Sequence, residues 1–140
     1  MEWVYDDGGR EAAGYLGKTG DCVTRAIAIA TQTPYQEVYE ALAVHCQQER
    51  LIKRRRPSPR QGVFKAAYRP YLEAKGWHWV PTMKIGTGCR VHLRTEELPS
   101  GRLIVRLSGH LAAIIDGVVH DTYREDRNGT RCVYGYWKQE

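Results

Sequence analysis

An α+β fold, with helices gathered in the first half of the chain and an antiparallel sheet in the second, is what the sequence predicts. Three observations carry that expectation. Apolar residues recur at helical spacing as far as about Lys75. From Trp77 onward the spacing shortens to two, the period of a strand. The strand-like segments then follow one another across short turns instead of alternating with helices, which argues against βαβ units. The 140 residues, 42% of them hydrophobic, suffice for one domain spanning 1–140 with its own core.

The first twenty residues hold Gly8, Gly9, Gly14, Gly17 and Gly20 and read as loop. A first helix opens at Cys22, because Val23, Ala26, Ile27 and Ala30 share one helical face and Asp21 suits the N-cap. A second opens at Thr33-Pro34, with Thr33 as cap, Pro34 in the first turn, and Val38, Leu42 and Cys46 or His45 as its inner stripe. A third is expected over Gly62 to Lys75, kinked or split by Pro70 and ended by Gly76. Strands are expected at Trp77–Pro81, Arg102–Leu107, Leu111–Ile115, Val118–Tyr123 and Arg131–Lys138. Asp116-Gly117 is a strong hairpin turn between the third and fourth of these. Tyr134, Tyr136 and Trp137 read as packing on an edge strand.

The net charge of +5 belongs to one place. Lys53 to Arg60 carries five positive charges and two prolines, and the rest of the chain holds 16 basic and 16 acidic residues. That pattern suits an exposed basic loop at 53–60, or a contact for phosphate or an acidic partner, more than a nucleic-acid-binding face. No apolar run approaches the length of a membrane span, and Met1 to Arg10 is too polar for a signal peptide. The expected setting is therefore the reducing cytoplasm, with no membrane partner. There, Cys22, Cys46, Cys89 and Cys132 are not expected to form disulfides. Cys89 and His92 make a C-x2-H pair, but the second tight pair of a zinc site is missing, so no metal is expected.

Chemistry enters with Cys22. As first residue of a helix, its sulfur lies among unpaired N–H groups at the positive end of the helix dipole, which favours thiolate. A buried core cysteine is the competing reading. A two-residue turn at Asp116-Gly117 pairs Ile115 with Val118, hence Ala112 with Asp121 and His110 with Tyr123. His110 and Asp121 then share a face as diagonal neighbours, roughly 7–8 Å apart along the backbone, within reach of imidazole and carboxylate. The same register turns His120 to the opposite face and leaves Asp116 remote. A carboxylate on a face shared with Ala112, Ile114 and Val119 needs a partner. The pair then either completes a Cys–His–Asp triad or only braces the sheet.

A cysteine at a helix start, a distant histidine opening a strand and an acid in the following strand resemble the papain-like cysteine peptidases. The segments Gly20 to Thr31 and Gly109 to Thr122 are similar to small phage and bacterial members. The resemblance implies a helix packed on an antiparallel sheet, with the active site between them and a cytoplasmic setting in a bacterial or phage-infected cell. It implies hydrolysis of an amide, peptide or isopeptide bond in a peptide or protein substrate, without a cofactor, by Cys22, His110 and Asp121. Papain-like enzymes commonly place Gln or Asn shortly before the cysteine as an oxyanion donor. Here Gly17-Lys18-Thr19-Gly20-Asp21 has neither, which leaves the Cys22 N–H, with Lys18, Thr19 and Asp21 as support.

Trp77 and Trp79 flank His78 and share a face, either as sheet core or as an aromatic wall of the substrate cleft. Arg25 stands one turn from Asp21, at the spacing of an ion pair. Two rival functions follow from the same residues. One is an inactive fold that binds a protein partner; the other is a nucleic-acid-binding protein using the 53–60 loop and the tryptophan face.

Overall fold

The computed structural model describes residues 1–15, 20–53, 65–84, 86–124 and 126–139, with backbone alone over 47–53. The basic segment therefore lies outside the described residues from Arg54 onward. The elements run β1 (Glu2–Tyr5), α1 (Cys22–Thr31), α2 (Tyr35–Lys53), α3 (Lys65–Ala74), β2 (Trp77–Pro81), β3 (Val91–His92), a 3₁₀ turn (Thr95–Glu97), β4 (Arg102–Leu107), β5 (His110–Ile115), β6 (Val118–Asp121), β7 (Cys132–Val133) and β8 (Gly135–Gln139). The class is α+β. Six strands form one mostly antiparallel sheet in the order β1-β6-β5-β4-β8-β2, and β3 and β7 pair separately.

Alternation along the strands divides the core in two. Ile104, Leu111, Ala113 and Trp137 face the helices and meet Val23, Ala26, Ile27, Val38, Leu42, Tyr68 and Leu72. Leu103, Val105, Leu107, Ala112, Ile114 and Val119 face the other way, under Leu93, Leu98 and Val133. Both faces of the central strands are thus covered, and α1 lies across them with Val23, Ala26, Ile27 and Ala30 buried, the face its spacing predicts. Val38, Leu42 and Cys46 are buried along α2, again as its spacing predicts. Pro70 sits inside α3 without ending it, and Gly76, at φ +82°, takes the left-handed position that terminates it.

The hairpin follows the predicted register, with Ile115 opposite Val118 and Ala113 opposite His120. Asp116 and Gly117 both have positive φ, as a type I′ turn requires. The turn is pinned from outside. The Asp116 carboxylate accepts from the Gly101 N–H at 2.8 Å, and the Thr95 hydroxyl donates to the Gly117 carbonyl at 3.0 Å.

Four sequence expectations need correction. The opening residues are not all loop, because Glu2–Tyr5 forms an edge strand parallel to β6, paired from Glu2 with Val118 to Tyr5 with Asp121. The closing strand is two strands divided at Tyr134, whose N–H bonds the Arg106 carbonyl. Its main part, β8, lies between β4 and β2, so Trp137 is interior and not edge packing. Finally, Cys89 and Cys132 are joined in a disulfide that clips β3 to β7. Their pairing also engages one member of the C-x2-H motif, while His92 faces Glu97 at 3.3 Å. Among the described residues no cluster of His, Cys, Asp or Glu is placed to hold a metal, and no helix is long and apolar enough to cross a membrane.

Candidate active site

Three elements converge at one end of the sheet. Helix α1 begins with Cys22, β5 begins with His110, and β6 ends with Asp121. The ladder between β5 and β6 runs from Ile115 and Val118 to Ala113 and His120, so His110 and Asp121 lie past it, beside the helix start. The backbone of Asp121 is held there by β1, whose continuation donates the Asp6 N–H to its carbonyl at 2.9 Å.

His110 Nε2 is 2.6 Å from Asp121 Oδ2, a short contact between two buried side chains. The other oxygen, Oδ1, accepts the Thr122 N–H at 2.7 Å and faces Arg25 Nη1 at 3.3 Å. With Nε2 held by Asp121, the same imidazole hydrogen-bonds to the Cys22 thiol. The Cys22 sulfur also accepts from the backbone N–H of Leu111, the residue after His110. Burial pushes the Cys22 thiol up. The His110 hydrogen bond and charge, the Leu111 N–H and the Arg25 guanidinium outweigh it and hold the thiol below its ordinary pKa. Cys22 itself is half-buried, packed against the helix-side core. Cys46 is the other free cysteine among the described residues and is buried.

Asp21 plays a different part from the one its position suggests. Its carboxylate makes no capping bond to α1. Instead Oδ1 meets Arg10 Nη1 and Arg25 Nε, each at 3.1 Å, and Oδ2 accepts from the Tyr35 hydroxyl at 2.6 Å. The negative charge that would oppose a thiolate at the helix start is thereby neutralised. Arg25, 5% exposed, bridges the two buried acids, and its Nη1 also donates to the Thr122 hydroxyl at 2.7 Å. The predicted pairing of Arg25 with Asp21 is present; its second contact, to Asp121, depends on tertiary packing and leaves no mark in local spacing.

Tyr123 was also hidden from sequence reasoning as a site residue. Its hydroxyl lies 3.3 Å from His110 Nδ1 and its ring 5.3 Å from the imidazole, while the side chain stays 48% exposed. It borders the site on the solvent side, and the hairpin register that pairs His110 with Tyr123 is the signal that would have found it.

The remaining predicted residues fare differently. Lys18 and Thr19 lie outside the described residues. Of the two readings of Trp77, sheet core or cleft wall, the structure has the first: it is 3% exposed and packs in the helix-side core. Trp79 is half-buried against that core, 5.6 Å from Trp137, with Lys65 Nζ 4.5 Å above its ring. Chemically, the site combines a half-buried thiol of lowered pKa, an imidazole that can take and return its proton, and a carboxylate that fixes the ring. No protein-family model, curated protein or solved structure matches this chain.

Proposed function

We propose that this protein is a papain-like cysteine hydrolase that cleaves an amide, peptide or isopeptide bond through an acyl-thioester on Cys22. One observation carries the reading: the Cys22 thiol bonds an imidazole whose Nε2 is held at 2.6 Å by a buried carboxylate. In the first step the thiol proton passes to His110 Nδ1 and the sulfur bonds to the substrate carbonyl carbon, the π pair moving onto oxygen. Collapse of that adduct breaks the C–N bond, and the leaving amine departs with the proton from His110. Water then attacks the thioester, His110 takes a proton from it, and the C–S bond breaks to release the acid and restore Cys22. Asp121 holds the Nε2–H tautomer and stabilises the imidazolium. The backbone N–H of Cys22, at the start of α1, is the donor offered to the developing oxyanion, the role the missing Gln or Asn leaves to the main chain.

The test is labelling by iodoacetamide at neutral pH, mapped by peptide mass. The expected result is one label per chain, on Cys22, lost in Cys22→Ser and strongly slowed in His110→Ala. Label that avoids Cys22, or that is indifferent to His110, refutes the reading and leaves a protein-binding module as the alternative.

A further inference from the structure

The helix side of the sheet carries an unbalanced group of cations next to Cys22. Arg106 is the cross-strand partner of Leu111, the residue whose N–H meets the Cys22 sulfur. Cross-strand partners project to the same face, so Arg106 stands on the face that carries Leu111 under the helices, and it is half-buried there. Tyr68, on α3, feels the charges of both Arg106 and Cys22. On the far side of Arg106, its other partner in the sheet is Gly135. The six-membered ring of Trp79 occupies the space where a Gly135 side chain would stand. Lys65 Nζ lies over the Trp79 ring, 4.5 Å from its centre. Lys65, Trp79, Gly135 and Arg106 therefore follow one another across the helix side of the sheet toward Leu111, whose N–H meets the Cys22 sulfur. Burial, with repulsion from Arg106 and Arg69, holds the Lys65 ammonium below its ordinary pKa. Among the described residues neither Lys65 nor Arg106 has a carboxylate at ion-pair distance.

Two half-buried cations on the sheet face that leads to the nucleophile, with an aromatic ring between backbone and ammonium and no acid to balance them, are stabilised by an incoming anion. We propose that this face is a subsite for a carboxylate of the substrate, seated beside the carbonyl that Cys22 attacks. The assignment rests on Cys22 being the nucleophile. The carboxylate is either an acidic side chain or a chain terminus.

Two reagents of nearly equal size separate the charge from the reaction. Iodoacetate and iodoacetamide both form an S–C bond at Cys22 with loss of iodide, and only the first carries a carboxylate. The ratio of their rates at Cys22 is expected to exceed the ratio for free glutathione by about tenfold, the low end of electrostatic steering. It should fall toward the glutathione value as salt is raised, and also in Arg106→Gln and in Lys65→Gln. Because a ratio divides out changes in the nucleophile itself, it remains readable if either variant alters Cys22. A wild-type ratio no higher than that of glutathione overturns the subsite while iodoacetamide labelling keeps Cys22 as nucleophile. A raised ratio that survives in both variants also overturns it, since Arg25 and His110 then supply the attraction. Failure of both reagents to label Cys22 removes the reading beneath it as well. Acrylamide probes then distinguish the two sources. Faster capture of N-acryloyl-glutamate amide than of its glutamine analogue identifies an acidic side chain; faster capture of N-acryloyl-glycine than of its amide identifies a terminus. Equal rates within both pairs count against the proposal.

Discussion

Replacing Arg25 by Met is expected to damage both the stability of the protein and the reactivity of its cysteine. The guanidinium is 5% exposed, lies 3.1 Å from Asp21 and 3.3 Å from Asp121, and donates to Thr122 at 2.7 Å. Methionine fills similar volume but leaves two buried carboxylates without a shared counter-charge. Asp21 keeps Arg10 and Tyr35, and Asp121 keeps His110 and the Thr122 N–H, so the loss is partial. Breaking a buried pair from one side costs about 3–5 kcal/mol. For a chain of this length, with an unfolding entropy of about 2.1 cal/mol/K per residue, that lowers Tm by about 10–17 °C. Urea unfolding followed by circular dichroism measures the free energy, and a thermal scan checks the shift. Arg25→Lys is expected to recover only part, because an ammonium cannot present one fork to two acids. Removing Arg25 also removes one influence that lowers the Cys22 pKa, so alkylation of Cys22 should require higher pH. A destabilisation below about 1 kcal/mol, the range of a surface ion pair, together with an unchanged pH profile, would refute the bridge.

Asp121→Asn keeps the shape but reverses the preferred tautomer of His110, and turnover is expected to fall by up to about 10⁴ with the fold retained; hydrolysis kinetics and circular dichroism read the two effects separately. Because the Cys22 pKa is lowered on folding, the stability it contributes is present above the ordinary thiol value. It is lost as pH falls through the folded value, so Cys22→Ser should flatten the pH dependence of urea midpoints in that window. Cys89 and Cys132 enclose a 43-residue separation, and reducing their disulfide is expected to cost about 4 kcal/mol in the loop-entropy picture. The doubly substituted Cys89→Ser, Cys132→Ser protein should match the reduced form in denaturation; a match to the oxidised form would show that the link adds nothing. Gly135→Ala inserts a methyl group where the Trp79 ring lies and should cost about 1–3 kcal/mol with a changed near-ultraviolet circular dichroism spectrum.

What could be read without coordinates was what local chemistry specifies. The spacing of Val23, Ala26, Ile27 and Ala30 predicted α1, and Asp116-Gly117 with the period of two predicted the register that brings His110 to Asp121. Their meeting with Cys22 followed from the order of the elements and a family resemblance, not from spacing. The hidden parts were long-range. Strand β1 is exposed along its length and carries no burial pattern, and its pairing with β6 joins opposite ends of the chain. The disulfide joins cysteines that share no motif, and the inference of a reducing setting argued against it. Asp21 looked like a helix cap because its position permits one; Arg10, Arg25 and Tyr35 claim its oxygens instead, as tertiary ion pairs override a local preference.

The pH dependence of Cys22 alkylation by iodoacetamide, compared between the native protein and His110→Ala, tests the activation of the thiol most directly. The native rate should rise with an apparent pKa below the 8.5 or so of a free cysteine, and the His110→Ala curve should move to higher pH. Superimposable curves with the midpoint of an ordinary thiol would contradict the account.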